Sequence, residues 1–139
     1  MSELAALLFD VDGNLASTQL SVTNGDLNVA LSGSATISAG ANGSSALTIS
    51  GSQTDINATL ASLTYQGDSN FNGNDTLTVL STDSAGTPLS DSDTVDITVD
   101  PINDAPVAVD DSATTDEDTS VVIDLLANDT DTEGDGLSF

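Results

Sequence analysis

The chain has 139 residues, 23 of them acidic, with no lysine, arginine, histidine or cysteine, so its formal net charge is −23. That inventory excludes disulfides, thiolate and imidazole metal sites, and any Ser-His or Cys-His nucleophile system. It also excludes nucleic acid as a partner, because nothing positive can replace the phosphate counterions.

The apolar residues alternate with polar ones in short runs, which is the period of half-buried β-strands. Gln19 to Thr23 is the first clear run. Asn24-Gly25 follows, a strong short hairpin signal, and Leu27, Val29 and Leu31 resume the alternation. Ala35 and Ile37, then Ala46 to Ile49, give two further strands. Residues 54–62 break the period. Ile56 and Leu60 are four apart and Leu63 is three further on, so a short crossover helix is expected there, capped by Thr54 or Asp55. Leu63-Thr64-Tyr65 opens the next strand. Leu77 and Val79, then Val95, Ile97 and Val99, supply two more. Turns are expected at 40–43, 68–73 and 84–86. Asp75 reads as a turn residue that accepts from backbone N–H groups. Asp91, Asp93 and Asp96 read as a solvated face alternating with Val95 and Ile97. Phe9, Tyr65 and Phe71 read as core. Asn42, Asn57, Asn74 and Asn128 each begin a glycosylation sequon but read as ordinary turn residues.

The composition changes after Val99. Residues 100–106 contain two prolines and no period, as a stiff acidic linker does. Residues 107–109 and 120–126 read as two strands among acidic clusters at 110–111, 116–118 and 129–135. A weak internal repeat relates Leu7 to Gly13 with Leu125 to Asp131; each is an apolar run ending in Asp-x-Asp. The expected division is a β-sandwich module over 1–99 that lacks its opening strand, a linker over 100–106, and the opening fragment of a second module over 107–139. A fragment of that length cannot bury a core alone. No apolar run approaches the roughly 20 residues of a membrane span. The opening residues carry no basic and apolar secretory signal.

With no basic side chains, clustered carboxylates need distance or a solute cation. Two of them 4 Å apart repel by about 4 kcal/mol at an effective dielectric of about 20. Asp-x-Asp on an extended segment directs both side chains to one face. A donor set of hard oxygens suits Ca²⁺ rather than zinc or copper.

Three stretches carry a resemblance to a known family. Asn103-Asp104-Ala105-Pro106 after an acidic strand end resembles the inter-repeat linker of cadherin-like modules. Tyr65, Phe71 and the Asn72 to Val79 run are similar to the second half of bacterial cadherin-like repeats. Glu117-Asp118-Thr119 with Asn128 to Asp131 resembles the opening of another such repeat. Repeats of this kind occur in large surface adhesins, including RTX-type ones. The resemblance implies an all-β, Greek-key Ig/cadherin-like β-sandwich with one short crossover helix, followed by the first strands of a truncated second module. It also implies Ca²⁺ at the module junction, held by Asp100, Asn103 and Asp104, by Glu117, and by Asp129 and Asp131. Asp10 and Asp12 match the same Asp-x-Asp for an earlier junction, and Asp83 matches an acid near the module base.

The expected function is therefore a calcium-rigidified structural or adhesive repeat on a bacterial cell surface, not an enzyme. Its partners would be neighbouring repeats of the same chain, with cell-surface or glycan receptors engaged through other domains and no membrane insertion. The alternative is a carbohydrate- or ice-binding module, for which the absence of Trp and the single Tyr offer little stacking surface. A hydrolase using paired carboxylates would need a cleft that a module of this size rarely builds.

Overall fold

The computed structural model describes residues 13–138. The chain divides into two compact units, Met1–Asp100 and Pro101–Phe139. Phe9, Asp10, Asp12 and the first copy of the weak repeat up to Asp12 lie outside the described residues.

The first unit is an all-β, Ig-like sandwich. Its strands are β1 (Leu15–Ser21), β2 (Gly25–Asn28), β3 (Thr36–Gly40), β4 (Ala46–Ser50), β5 (Thr64–Gly67), β6 (Gly73–Asp83) and β7 (Ser90–Val99). One five-stranded sheet has the order β3-β4-β1-β6-β7, and β2 pairs with β5 in a second, two-stranded sheet. Every strand pairing is antiparallel. The alternating apolar residues meet between the sheets. Leu20, Leu27, Ile49 and Ile56 are fully buried, and Leu15, Val22, Val29, Ala35, Leu47, Leu60, Leu77 and Val79 complete the core. Tyr65 packs against this cluster, and Phe71 is half-buried.

Asn24-Gly25 does not close a hairpin. β1 pairs with β4 and β6, whereas β2 pairs with β5, so this dipeptide carries the chain from one sheet to the other. A local turn signal reports a reversal of direction and says nothing about which strand will be the partner.

The crossover helix forms where its period predicted, as α1 (Gln53–Leu60), but its cap is Ser52 rather than Thr54 or Asp55. The Ser52 hydroxyl accepts from the Asp55 amide at 3.2 Å, satisfying a first-turn donor that has no helical partner. Ile56, Thr59 and Leu60 face inward. Polar groups then tie α1 to the β2–β3 connection. The Ser32 amide donates to Thr59 Oγ1 at 3.0 Å. The Ser34 hydroxyl and amide donate to Asp55 Oδ2 at 2.7 and 3.2 Å. Asn42 is likewise occupied, since it both accepts from and donates to the Val29 backbone.

β7 departs from its expected pattern. Asp91, Asp93 and Asp96 are all exposed but do not share a face. Asp91 and Asp93 lie opposite Ser81 and Val79, whereas Asp96 lies opposite Thr76. Residues opposite one another share a side, so Asp91 and Asp93 continue the inward-facing row of Val95 and Ile97. The inward face of this strand changes from aliphatic to acidic half-way along its length.

The second unit contains no strand of its own among the described residues. Its one pairing is an isolated antiparallel bridge between Val107 and Thr130, closed by N–H···O bonds of 2.7 and 3.1 Å. The strand expected at 120–126 is absent, and so is most of the one expected at 107–109. Val121, Val122, Ile123 and Leu125 are exposed, Val122 at 95%. An alternating run becomes a strand only where a partner takes its backbone groups and a facing layer takes its side chains. Among the described residues no strand pairs with 120–126 and most of its aliphatic side chains stay exposed. The second Asp-x-Asp correspondingly follows a turn, with the Asp129 amide bonded to Leu126 O at 3.3 Å, rather than ending a strand.

Candidate functional site

Among the described residues, the most fully satisfied carboxylate is Asp75, which is 4% exposed. Its Oδ1 accepts from the amides of Thr23 at 3.1 Å and Thr76 at 2.8 Å. Its Oδ2 accepts from the Asn24 amide at 2.8 Å and lies 3.1 Å from the Tyr65 hydroxyl. That hydroxyl also lies 3.0 Å from the Asn24 carbonyl, so one phenolic proton serves two acceptors. Asp75 stands on β6, Tyr65 on β5, and Thr23 and Asn24 on the crossing between sheets. One carboxylate therefore joins both sheets at the point where the chain passes between them. Asp75 bonds backbone N–H groups as expected, but from within strand β6 rather than from a turn, and most of its donors come from across the fold.

Burial by itself pushes the Asp75 carboxyl up. The amides of Asn24, Thr76 and Thr23 and the Tyr65 hydroxyl outweigh it and hold the group below its ordinary value of 3.8. Tyr65 moves the other way. Burial, the hydrogen bond to Asp75 and the nearby negative charges of Asp75 and Asp68 raise its hydroxyl above 10.0. Gly25 makes this junction possible, because a Cβ there would lie 2.5 Å from both the Gln66 carbonyl oxygen and the Tyr65 ring.

The residues singled out as calcium ligands fall into several places. Asp83 Oδ1 accepts from the amides of Ala85 and Leu89, each at 3.1 Å, and so shapes the β6–β7 turn. Asp100 closes the first unit and is exposed. In the second unit the Asn103 side-chain amide donates to Asp104 O at 3.2 Å. The Asp104 amide donates to Glu133 Oε2 at 3.0 Å. Asp129 Oδ1 accepts from the Val109 amide at 2.8 Å. Asp131 Oδ1 accepts from the amides of Glu133 and Asp135 at 3.0 and 2.9 Å. Glu117 stands apart in an exposed turn, where its carbonyl lies 3.5 Å from the Thr119 hydroxyl.

The structure thus brings Asp104 to Glu133 and sets Asp129 and Asp131 on either side of the Val107–Thr130 bridge. Glu133 was not among the residues expected at the site; its link to Asp104 spans 29 positions, which no local pattern could reveal. Among the described residues no group of three or more acidic side chains is gathered where it could hold a metal. The donor chemistry still suits Ca²⁺. Every ligand type present is a hard oxygen, and a carboxylate that accepts one or two amide protons retains further lone pairs. The described residues contain no helix long and apolar enough to cross a membrane.

No curated protein and no solved structure matches the chain. Residues 103–139 match the family described as Bacterial Ig domain, so the second unit is similar to a bacterial Ig-like domain rather than to a cadherin-like repeat in particular. Residues 9–91, more than half of the chain, match the family described as Protein GAMETE EXPRESSED 2 domain, and the chain belongs to that family.

Proposed function

We propose that this chain is a structural module of a tandem extracellular array on a bacterial surface. In this reading the first unit is a rigid Ig-like spacer, and the second is an acidic Ig-like element that takes up Ca²⁺. The chain is not an enzyme in this reading.

One observation carries the proposal. Asp129, Asp131 and Glu133 are half-buried, they lie on a stretch bonded back to Asp104 and Val109, and the sequence has no basic side chain to neutralise them. Partly desolvated carboxylates without a counter-charge repel one another. A bound divalent cation would supply the missing positive charge by drawing together Asp104, Asp129, Asp131 and Glu133, which are not gathered around a common point without it. Metal uptake would be linked to ordering of the unit, whose exposed aliphatic residues Val109, Val121 and Ile123 would then have a structure to bury into. The carbohydrate reading has less to stand on, since the single tyrosine is half-buried with its hydroxyl engaged at the sheet junction.

Calorimetric titration of the full chain with CaCl₂ tests this, with MgCl₂ as the control. Extracellular calcium modules bind at about 10⁻⁴–10⁻³ M, so saturable heat is expected in that range. It should be lost in the double variant Asp129→Asn, Asp131→Asn. Absence of calcium heat, or equal heat from the variant, would remove the second unit from the account.

A further inference from the structure

We propose that the outer edge of β7 is a docking strand for an extended, basic segment of a partner protein, which adds to the five-stranded sheet as a sixth, antiparallel strand. The two edges of this sheet are built differently. β3, at one edge, is five residues long, ends at Gly40, and shifts register against β4 between Ile37 and Ala39. Short length and a bulge are devices that blunt an edge against further pairing. β7, at the other edge, is ten residues long. Its register with β6 runs unbroken from Gly73↔Val99 to Thr82↔Ser90, and it contains neither proline nor glycine. No described strand pairs with its outer side.

What β7 does carry is acid, including the inward-facing Asp91 and Asp93; inward charge also blunts an edge, here against neutral and acidic strands but not against a basic one. A second copy of this chain would bring aspartates against aspartates, with no basic residue in either copy to relieve them. A cationic segment meets the opposite situation. The inward row reads Asp91, Asp93, Val95, Ile97, Val99 from the start of the strand to its end, with the three aliphatic residues half-buried and the two acids exposed. An antiparallel partner runs the other way. It would therefore offer three alternate apolar residues followed by two alternate lysines or arginines. Backbone hydrogen bonds would supply the adhesion and the alternate side chains the selectivity, while the acids speed the encounter.

The test uses the full chain and a fluorescein-labelled synthetic peptide with three alternate valines followed by two alternate lysines, threonines between. Fluorescence anisotropy should report saturable binding that weakens as salt rises. The double variant Asp91→Asn, Asp93→Asn should bind about two- to ten-fold more weakly, as expected for two exposed charge pairs, while circular dichroism shows its fold unchanged. Asp96→Asn, on the opposite face, should change binding less. A peptide of the same composition with its order scrambled should bind poorly, and so should one whose backbone amides are N-methylated. Equal binding of the scrambled or methylated peptide would show charge adsorption rather than strand addition and overturn the proposal. No binding of the ordered peptide would overturn it as well.

Discussion

Replacing Asp75 tests the argument about how the sandwich is joined. Its carboxylate accepts from three backbone amides and faces a tyrosine hydroxyl, at 2.8 to 3.1 Å, while itself only 4% exposed. A hydrogen bond to a charged group contributes about 1.5–3 kcal/mol, and a buried donor left without a partner costs about 1–3 kcal/mol. These terms do not add, because Thr23 is exposed and its amide can rehydrate. Asp75→Ala is therefore expected to lose about 3–4 kcal/mol, a large share of the roughly 5–15 kcal/mol that holds a domain together. That corresponds to a fall in Tm of roughly 15 °C or more. Asp75→Asn keeps one acceptor oxygen but turns an NH₂ toward backbone N–H groups, and should lose about 2 kcal/mol. The pH dependence has a definite sign. A carboxyl whose folded value lies below 3.8 stabilises the fold above that pH and loses its contribution as pH falls through the folded value. Thermal melts followed by circular dichroism from neutral pH into strong acid should show the gap between wild type and Asp75→Asn closing only below about pH 4. Equal melting of Asp75→Ala and wild type at neutral pH would refute the clamp.

Other consequences are as direct. Tyr65 is the single tyrosine and there is no tryptophan, so its ionisation can be followed cleanly by ultraviolet absorbance. The midpoint should lie above 10.0 and drop toward that value in Asp75→Asn. Because the neutral phenol is the form favoured by the fold, stability should persist up to pH 10 and decline as pH rises through the folded midpoint. Gly25→Ala, which sets a methyl group against Gln66 O and the Tyr65 ring, should cost about 2 kcal/mol by urea unfolding. Ser52→Ala removes the α1 cap and should cost about 1 kcal/mol, whereas Ser52→Asp should retain most of the stability. Leu27→Ala, at a fully buried site, should cost about 3 kcal/mol.

The first unit was legible where chemistry is local. Period-2 alternation located the strands because a sandwich buries one face of each. The Ile56, Leu60 spacing located the helix because a 3.6-residue period brings positions four apart to one side, whereas Leu63 lies beyond its end. What escaped was long-range. The role of Asn24-Gly25 depends on Tyr65 and Asp75, 41 and 51 positions away from Asn24. The inward placement of Asp91 and Asp93 depends on the β6–β7 register. In the second unit, Ser120 to Leu126 carries strand-like residues without the neighbouring strand or facing sheet that would make them one. The candidate site shows the same limit: Asp-x-Asp was visible, but the Asp104–Glu133 and Val109–Asp129 contacts beside it span 29 and 20 positions.

The most direct measurement of the calcium proposal is an amide ¹H–¹⁵N NMR titration of the full chain, which reads each unit separately in one sample. Added calcium should move the resonances of Asp104, Val109, Asp129, Asp131 and Glu133 and slow hydrogen exchange across residues 103–135, while those of β1 to β7 stay in place. Spectra unchanged at millimolar calcium, or shifts scattered evenly over every exposed aspartate of both units, would contradict it.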